Sequence, residues 1–237
     1  MCRNERDACI LRARFPEYCQ RVARSQRLIA EALERLGNPY IAFSTGKDST
    51  VVLHLVRGIR PDTIAIYGDD EWLLPESESL LSETPNVRRI KMRVQHADWF
   101  IAWNGEDCAE PSPTWAADMG FDGVFLGLRT EENVRRKLLI RQRGATFYVE
   151  RRKMWLCNPI AAWTTQDVWT YILSNEISYN RAYDVLQRIG VPLDQQRIGP
   201  LANERVLGRG QLALLKRGWP DLFNRFAATH PEARAYV

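Results

Sequence analysis

The residues best suited to chemistry in this sequence form a short loop of small, hydroxyl-bearing and charged side chains. The loop consists of Ser44, Thr45, Gly46, Lys47, Asp48 and Ser49. It follows the apolar run 40–43 and precedes the mostly apolar segment 50–56, so we expect a strand, a loop and a helix in that order. Backbone N–H groups and the helix dipole gather positive charge at the start of such a helix. The pattern therefore predicts a phosphate-binding loop.

Each side chain of this loop has a chemical use. Gly46 permits close backbone approach or a positive φ, and the hydroxyl of Thr45 could add a phosphate contact. Lys47 supplies a cation for phosphate oxygens, and Asp48 can orient the loop or hold Mg²⁺ through water. The loop is not a Walker P-loop, because Ile41 stands where that motif has its first glycine and an aspartate follows the lysine.

A second set of candidate residues follows the apolar run 123–126. Gly127 and Arg129 come directly after this run, and ligands bind at the carboxyl ends of strands in parallel sheets. We therefore expect Arg129 to be functional.

The stretch that follows Arg129 is strongly basic. Its cations are Arg135, Arg136, Lys137, Arg141, Arg143, Arg151, Arg152 and Lys153, and its acids are Glu131, Glu132 and Glu150. One interpretation is a solvated helix face, on which Glu131 and Glu132 pair with Arg135 and Arg136 at helical spacing. The other is a surface for the phosphates of a nucleotide or a nucleic acid. The sequence leaves both open.

Composition argues against several classes of protein. The 237 residues, 45% hydrophobic and 26% charged, are typical of a soluble globular protein. No stretch approaches the roughly 18 apolar residues of a membrane span, and the charged start resembles no secretory signal, so we expect a cytoplasmic protein without a membrane partner. The five cysteines form no C-x-x-C pair and there are three histidines, so no zinc site is expected. The wide spacing of Cys2, Cys9 and Cys19 matches no iron–sulfur ligand run, so no cluster is expected.

Alternating strands and helices must position these residues. Strands are predicted at 40–43, 63–67, 87–92 and 123–126. Helices are predicted at 16–36, 50–56, from Pro75 to Leu81, from Thr164 as N-cap, and at 180–189, 201–216 and 219–228. This alternation indicates a parallel α/β sheet. Residues 93–120 contain Trp99, Trp103 and Trp115. They are interpreted as a lid over a ligand or, in preference, as tryptophans packed on the sheet edge.

Several segments in order resemble one family. The loop resembles the S-G-G-K-D-S motif of PP-loop ATP pyrophosphatases, above all the branch with phosphoadenosine-phosphosulfate (PAPS) reductases and the small subunit of bacterial ATP sulfurylase. Residues 67–76 are similar to the D-T-G-x-x-F-P-E segment after strand two of that family, and residues 127–132 to its G-x-R-x-x-E. Residues 158–169 resemble P-L-x-x-W-T-x-x-D-V-W, and residues 179–184 resemble Y-N-P-L-Y-D. The resemblance covers roughly residues 25–190.

The resemblance implies a doubly wound, mostly parallel, five-stranded Rossmann-like sheet of the adenine nucleotide alpha hydrolase type. We expect a nucleotide-binding domain over 1–160 and a helical C-terminal extension over 161–237. It also implies a magnesium-dependent enzyme of the adenylyltransferase type, in which an acceptor attacks the α-phosphate of ATP and pyrophosphate leaves. Lys47, Asp48 and Arg129 would be catalytic. The nucleotide would lie against the loop 44–49, Gly127, Arg135 and Arg136, with adenine near Ala42, Phe43 and Tyr67.

Departures from the family pattern keep alternatives open. PAPS reductases carry a nucleophilic cysteine in a C-terminal E-C-G-x-H motif, whereas no cysteine follows Cys157 here, so a reductase is disfavoured. Cys157 itself is interpreted as a small buried thiol. The acceptor is a small oxyanion or a carbonyl oxygen, in sulfur metabolism for example, or a nucleic acid. The remaining hypothesis is a non-catalytic nucleotide-binding subunit of a larger defence or modification complex. Association with a protein partner or with further copies of the chain is left open.

Overall fold

The computed structural model describes residues 3–69, 72–91, 114–132, 134–198 and 211–237. Its strands are β1 (Pro39–Ala42), β2 (Ala65–Asp69), β3 (Val87–Lys91), β4 (Gly123–Phe125), β5 (Thr146–Val149) and β6 (Met154–Cys157). The longer helices are α1 (Arg3–Arg12), α2 (Pro16–Arg35), α3 (Lys47–Arg57), α4 (Pro75–Glu83), α6 (Val134–Arg143), α7 (Thr165–Ser174), α9 (Gln211–Gly218) and α10 (Pro220–Thr229). The shorter helices are α5 (Trp115–Asp118) and α8 (Ala182–Arg188), with 3₁₀ turns at Thr130–Glu132, Glu150–Arg152 and Pro231–Tyr236.

The strands form one sheet in the order β3-β2-β1-β4-β6-β5. All neighbouring pairs are parallel except β5 and β6, which are antiparallel. The mostly parallel α/β class is thus confirmed, but the expected count of five strands is wrong, because the described residues contain six. The unexpected part is the β5–β6 hairpin, whose turn includes Lys153 in the left-handed region at φ 50°. β5 lies within the basic stretch, and β6 begins directly after it.

The sheet packs on both faces. On one face Ile41, Phe43 and Phe125 join a large core with residues of α2, α3 and α7. On the other face Tyr40 and Val124 belong to a second cluster. Parallel strands covered on both sides are expected to be apolar throughout, which explains the continuous apolar runs of β1, β2 and β4.

Most predicted helices are confirmed, with small changes at their ends. α3 begins at Lys47 rather than at residue 50, so the lysine and the aspartate of the loop belong to its first turn. Trp115 packs on the sheet as expected, but against the central strand β1 rather than an edge strand, since its ring lies 5.9 Å from that of Tyr40. Trp99, Trp103 and the first half of the predicted helix 201–216 lie outside the described residues. No helix in the described ranges is long and apolar enough to cross a membrane.

Helix α7 is fixed at its start by a reciprocal cap. The Thr164 hydroxyl accepts from the Asp167 amide at 3.1 Å, and Asp167 Oδ2 accepts from the Thr164 amide at 2.8 Å. Asp167 is fully buried, and its carboxylate also binds Arg12 and Arg21. These contacts join α1 and α2 to α7, which itself packs against α3.

Candidate phosphate-binding site

The loop 44–49 lies where the order of strands reverses. β1 leads into the loop and lies between β2, the next strand along the chain, and β4, which the chain reaches only after β3. Ligands in doubly wound folds bind at the carboxyl ends of strands at this switch point. The predicted strand–loop–helix is therefore confirmed and lies at the position that such folds use for ligands.

Several backbone amides in the loop lack an acceptor among the described residues. Ser49 Oγ accepts from the Ser44 amide at 3.2 Å and donates to the Gly46 carbonyl at 2.9 Å, which closes the loop on itself. The Lys47 amide donates to the hydroxyl of Tyr183 at 3.0 Å. The amides of residues 45, 46, 48 and 49 have no hydrogen-bond acceptor among the described residues. Amides of this kind at a helix start bind phosphate groups.

Gly127 allows the loop to reach this position. A Cβ on Gly127 would lie 2.8 Å from the carbonyl carbon of Asp48 and 2.9 Å from the Ser49 nitrogen. Both neighbours are backbone atoms that cannot turn aside. Gly127 therefore lets the chain leaving β4 pack against the first turn of α3.

Thr45 holds the loop in place through its buried hydroxyl. Its φ is +58°, a left-handed conformation that disfavours β-branched residues. In this conformation the hydroxyl is buried, donating to Ser77 Oγ at 3.0 Å and accepting from Asn180 Nδ2 at 3.2 Å. Asn180 also donates to Ser77 Oγ at 2.7 Å. These buried side chains fix the loop and already engage the hydroxyl, and its expected contact with phosphate stays a prediction.

Lys47 is a buried cation with one ion-pair partner among the described residues. Its Nζ lies 3.0 Å from Asp48 Oδ2 and 5.6 Å from the centre of the Tyr183 ring. Only 1% of Lys47 is exposed. Burial lowers its pKa, and the Asp48 carboxylate opposes this change without cancelling it. An added anion at the loop would favour the charged form of this lysine.

Arg129 lies behind Asp48 and binds three carboxylates. Its Nε donates to Asp48 Oδ1 at 2.6 Å, while its other nitrogens bind Glu131 and Glu132. Burial alone would lower its pKa, but the carboxylates, led by Asp48, raise it. Because Arg129 is 1% exposed and lies behind Asp48, its geometry is that of a residue that holds the Asp48 carboxylate in position. Its expected contact with a phosphate stays a prediction.

The acids and bases around the start of α6 pair only partly as their helical spacing predicts. Arg136 pairs with Glu132 four residues earlier, as predicted from the helical spacing. Glu131 instead binds Arg129 and accepts from the Thr165 amide at 2.7 Å, so it joins the cluster to the start of α7. Arg135 is exposed on α6.

The three residues expected near adenine do not share one surface. The rings of Phe43 and Tyr67 are buried in the large core. Ala42 is half-buried against the cluster on the opposite face of the sheet. Their predicted contact with adenine stays a prediction, and the buried rings of Phe43 and Tyr67 offer it no open face.

Sequence reasoning missed four residues that complete the site. Tyr183 binds the Lys47 amide, and Asn180 and Ser77 hold Thr45, as described above. Arg197 lies 3.7 Å from Glu132, and its charge helps to lower the pKa of Lys47. Asn180 and Tyr183 belong to the segment 179–184, whose similarity to Y-N-P-L-Y-D was a signal for a role. Nothing in the sequence singles out Arg197.

The residues around Asp48 fit a water-mediated magnesium ion better than a direct one. Each carboxylate oxygen of Asp48 already binds a cation, Arg129 or Lys47. Direct coordination would have to displace one of these cations. The described residues contain no group of three histidine, cysteine, aspartate or glutamate side chains placed to hold a metal. Mg²⁺ commonly keeps several waters and is held largely by substrate phosphates.

A doubly wound, mostly parallel sheet with this loop at its switch point defines an adenine nucleotide alpha hydrolase type of fold. The chain belongs to the phosphoadenosine phosphosulfate reductase domain family, whose model matches residues 38–191. The chain is 26% identical over 182 residues to phosphoadenosine 5'-phosphosulfate reductase of Alteromonas mediterranea, covering 68% of this chain and 70% of that one. It is 26% identical over 176 residues to the protein of that name from Klebsiella pneumoniae, covering 66% and 70%.

Two solved structures share the fold. The PAPS reductase of Candida auris, crystallised as a phosphate complex, aligns with a TM-score of 0.53 at 18% identity, covering 68% of this chain and 84% of that one. The FMN adenylyltransferase of Candida glabrata aligns with a TM-score of 0.55 at 12% identity, covering 76% and 65%. At these identities the likeness concerns the fold alone.

Proposed function

We propose that this chain binds ATP through the loop 44–49 and transfers adenylate to an acceptor, releasing pyrophosphate. The observation that carries the proposal is the set of amides without acceptors at the start of α3 beside the buried Lys47. Together they form a concentrated positive site that matches the charge of a polyphosphate. The family match and the adenylyltransferase fold neighbour support an adenine nucleotide.

In this proposal the loop holds the β- and γ-phosphates, and Lys47 neutralises charge on the departing pyrophosphate. An oxygen of the acceptor forms a bond to the α-phosphorus. The bond from that phosphorus to the bridging oxygen breaks, and pyrophosphate leaves with the electron pair. Electrostatic stabilisation of this kind supplies most of the catalysis in phosphoryl transfer. Mg²⁺, carried by the phosphates, would add further positive charge.

Asp48 and Arg129 support this chemistry indirectly. Arg129 fixes the Asp48 carboxylate from behind, and Asp48 fixes the ammonium group of Lys47. A cation held in place before the ligand arrives loses less entropy on binding. Arg129 is thus a positioning residue for Lys47.

A second candidate is binding of a sulfonucleotide, which the family match and the names of the relatives favour. The thiol chemistry of a reductase has weaker support. Cys157 is fully buried, and burial raises its pKa to about 11, whereas a nucleophilic cysteine needs a lowered pKa. No cysteine follows it in the 237 residues.

Calorimetry with α,β-methylene-ATP and with PAPS separates the two candidates. We expect the ATP analogue to bind, and Lys47→Met to weaken it by at least about tenfold, as loss of a charged hydrogen bond implies. Lys216→Met is the matched control, because Lys216 is exposed on α9. Binding of PAPS but not of the ATP analogue would overturn the proposal in favour of a sulfonucleotide site.

Catalysis is tested by pyrophosphate release from ATP in the presence of sulfate, tRNA or DNA. Release that depends on one acceptor supports adenylation and names the acceptor class. Tight binding of ATP without release under any of these conditions would overturn the enzymatic part. The chain would then be a nucleotide-binding subunit.

A further inference from the structure

Helix α6 is almost entirely exposed. None of its ten residues is buried, and its apolar side chains include Val134 at 73% exposure and Leu138 at 52%. Ile140 is the apolar residue of α6 that packs partly against the sheet. A helix that is stable in a folded domain normally buries one face. The exposed face of α6 is therefore a candidate surface for a binding partner.

The charge on and beside α6 is strongly one-sided. Residues 134–153 contain eight arginines and lysines and one acid, Glu150. This segment has a net charge of +7, whereas the whole chain has +4, so the rest of the chain is negative overall. Such segregation creates a local field that attracts polyanions rather than giving the whole surface a uniform charge.

The composition of this surface suits phosphates. Six of its eight cations are arginines, whose planar guanidinium binds phosphate through two parallel hydrogen bonds. Arg141, Arg151 and Arg152 are exposed. Val134 begins α6 and Leu138 lies between its cations, where both can cover sugars and base faces. A polymer that repeats phosphates and apolar faces therefore matches α6 better than a purely acidic surface does.

A chain of ion pairs connects α6 to the loop. Asp48 binds Arg129 at 2.6 Å, Arg129 binds Glu132 at 3.3 Å, and Glu132 binds Arg136 on the first turn of α6. The start of the basic surface is thus fixed to the side chain that holds Lys47.

We propose that α6 and the 3₁₀ turn Glu150–Arg152 bind a single-stranded nucleic acid. The bound nucleic acid is then also the acceptor of the adenylate, and this statement about the acceptor rests on the proposed function. Binding of the strand itself does not depend on ATP turnover. A negative result for binding and a negative result for pyrophosphate release are therefore distinguishable.

The test measures fluorescence anisotropy of labelled 20-nucleotide DNA and RNA without ATP, over a series of salt concentrations. We expect binding that weakens steeply with salt. Lys137→Glu combined with Arg141→Glu should lower affinity by at least roughly tenfold and reduce the slope of log K against log salt by about 1.4, for two lost phosphate contacts. Arg24→Glu combined with Arg27→Glu is the matched control, because it makes the same charge change on exposed positions of α2.

Other occupants are outcomes of the same experiment. Absence of binding at low salt, or equal loss in both double variants, overturns the proposal. Binding to phosphatidylserine vesicles without binding to either oligonucleotide assigns α6 to a membrane surface and also overturns it. Concentration-dependent dimerisation that Leu138→Ser abolishes, again without oligonucleotide binding, assigns α6 to a second copy of the chain instead.

Discussion

Replacement of Lys47 by methionine should separate the stability of the fold from its function. Lys47 is buried with Asp48 as its ion-pair partner, and burial lowers its pKa. Burying this charge therefore costs more free energy than the attraction of Asp48 recovers. Methionine has a similar length and no charge, and Asp48 keeps its 2.6 Å contact with Arg129. We expect the free energy of unfolding at pH 7 to stay unchanged or to rise by up to about 2 kcal/mol.

Replacement of Arg129 by methionine should instead lower the free energy of unfolding. Asp48, Glu131 and Glu132 would lose their common cation. Breaking a buried ion pair costs about 3–5 kcal/mol. Because the side chain of Glu131 is 46% exposed and Asp48 keeps Lys47, we expect a loss of about 3 kcal/mol. For a chain of this size that corresponds to a fall of roughly 6–12 °C in Tm.

Urea unfolding of both variants and the wild type measures these differences. The ordinary pKa of lysine is 10.5 and that of Lys47 is lower in the folded protein. The folded state therefore releases this proton at a lower pH than the unfolded state does. Wild-type stability should rise relative to Lys47→Met as pH increases toward 10.5. Calorimetry on the same samples should show loss of nucleotide binding in Lys47→Met.

Two results would refute this reasoning. If Lys47→Met is destabilised as strongly as Arg129→Met, then Lys47 contributes to the fold and its charge is not a cost. If Lys47→Met gains stability but binds nucleotide like the wild type, then the buried ammonium group does not serve the ligand.

Four further outcomes are expected. Thr45→Ala should be less stable than Thr45→Gly by about 1 kcal/mol in urea unfolding, because both lose the hydroxyl but only glycine relieves the left-handed φ. Gly127→Ala should lower the free energy of unfolding by about 1–3 kcal/mol, since its Cβ meets backbone, and should weaken nucleotide binding. Cys157 should resist iodoacetamide at pH 8 in the folded protein, as read by peptide mass spectrometry, because its pKa is raised to about 11. Asp167→Asn should lose about 3 kcal/mol at pH 7. That difference should shrink as pH falls below 3.8, because the folded pKa of Asp167 is lowered from this value.

Two of these predictions have a matched control, and for the other two a contradicting result is stated. Gly46→Ala should keep its stability, because its Cβ would meet neighbours at 3.4 Å or more. Cys19 is exposed and should be alkylated under conditions that spare Cys157. Equal stability of the two Thr45 variants would show that the positive φ carries no strain. An Asp167 effect that persists unchanged at pH 3 would show that its charge is not the cause.

The fold was predictable where the sequence signal is local. The loop follows from small and charged residues between two apolar runs, and the start of α7 follows from Thr164 with an acid three residues later. The β5–β6 hairpin was not predictable in this way. Its strands have four residues each, and they lie beside a run of arginines that has a helical and a phosphate-binding interpretation.

The site was only partly predictable, because its geometry depends on contacts between distant parts of the chain. Tyr183 reaches the Lys47 amide across 136 positions and Asn180 reaches Thr45 across 135. The direction of the Thr45 hydroxyl depends on a positive φ that residue type does not reveal. A resemblance can indicate that such residues matter, as the segment 179–184 did, but it does not say what they contact.

These long-range contacts suggest how the loop is prepared for a ligand. Thr45 is held by Ser77 and Asn180, the Lys47 amide by Tyr183, and the first turn of α3 by the chain at Gly127, as the distances above show. Three separate parts of the chain thus hold a loop whose amides remain open. Backbone strain at Thr45 persists because these contacts overdetermine it. Since two of the contacts come from residues after 160, the expected helical extension contributes to the candidate phosphate site, and residues 1–160 alone should not form it.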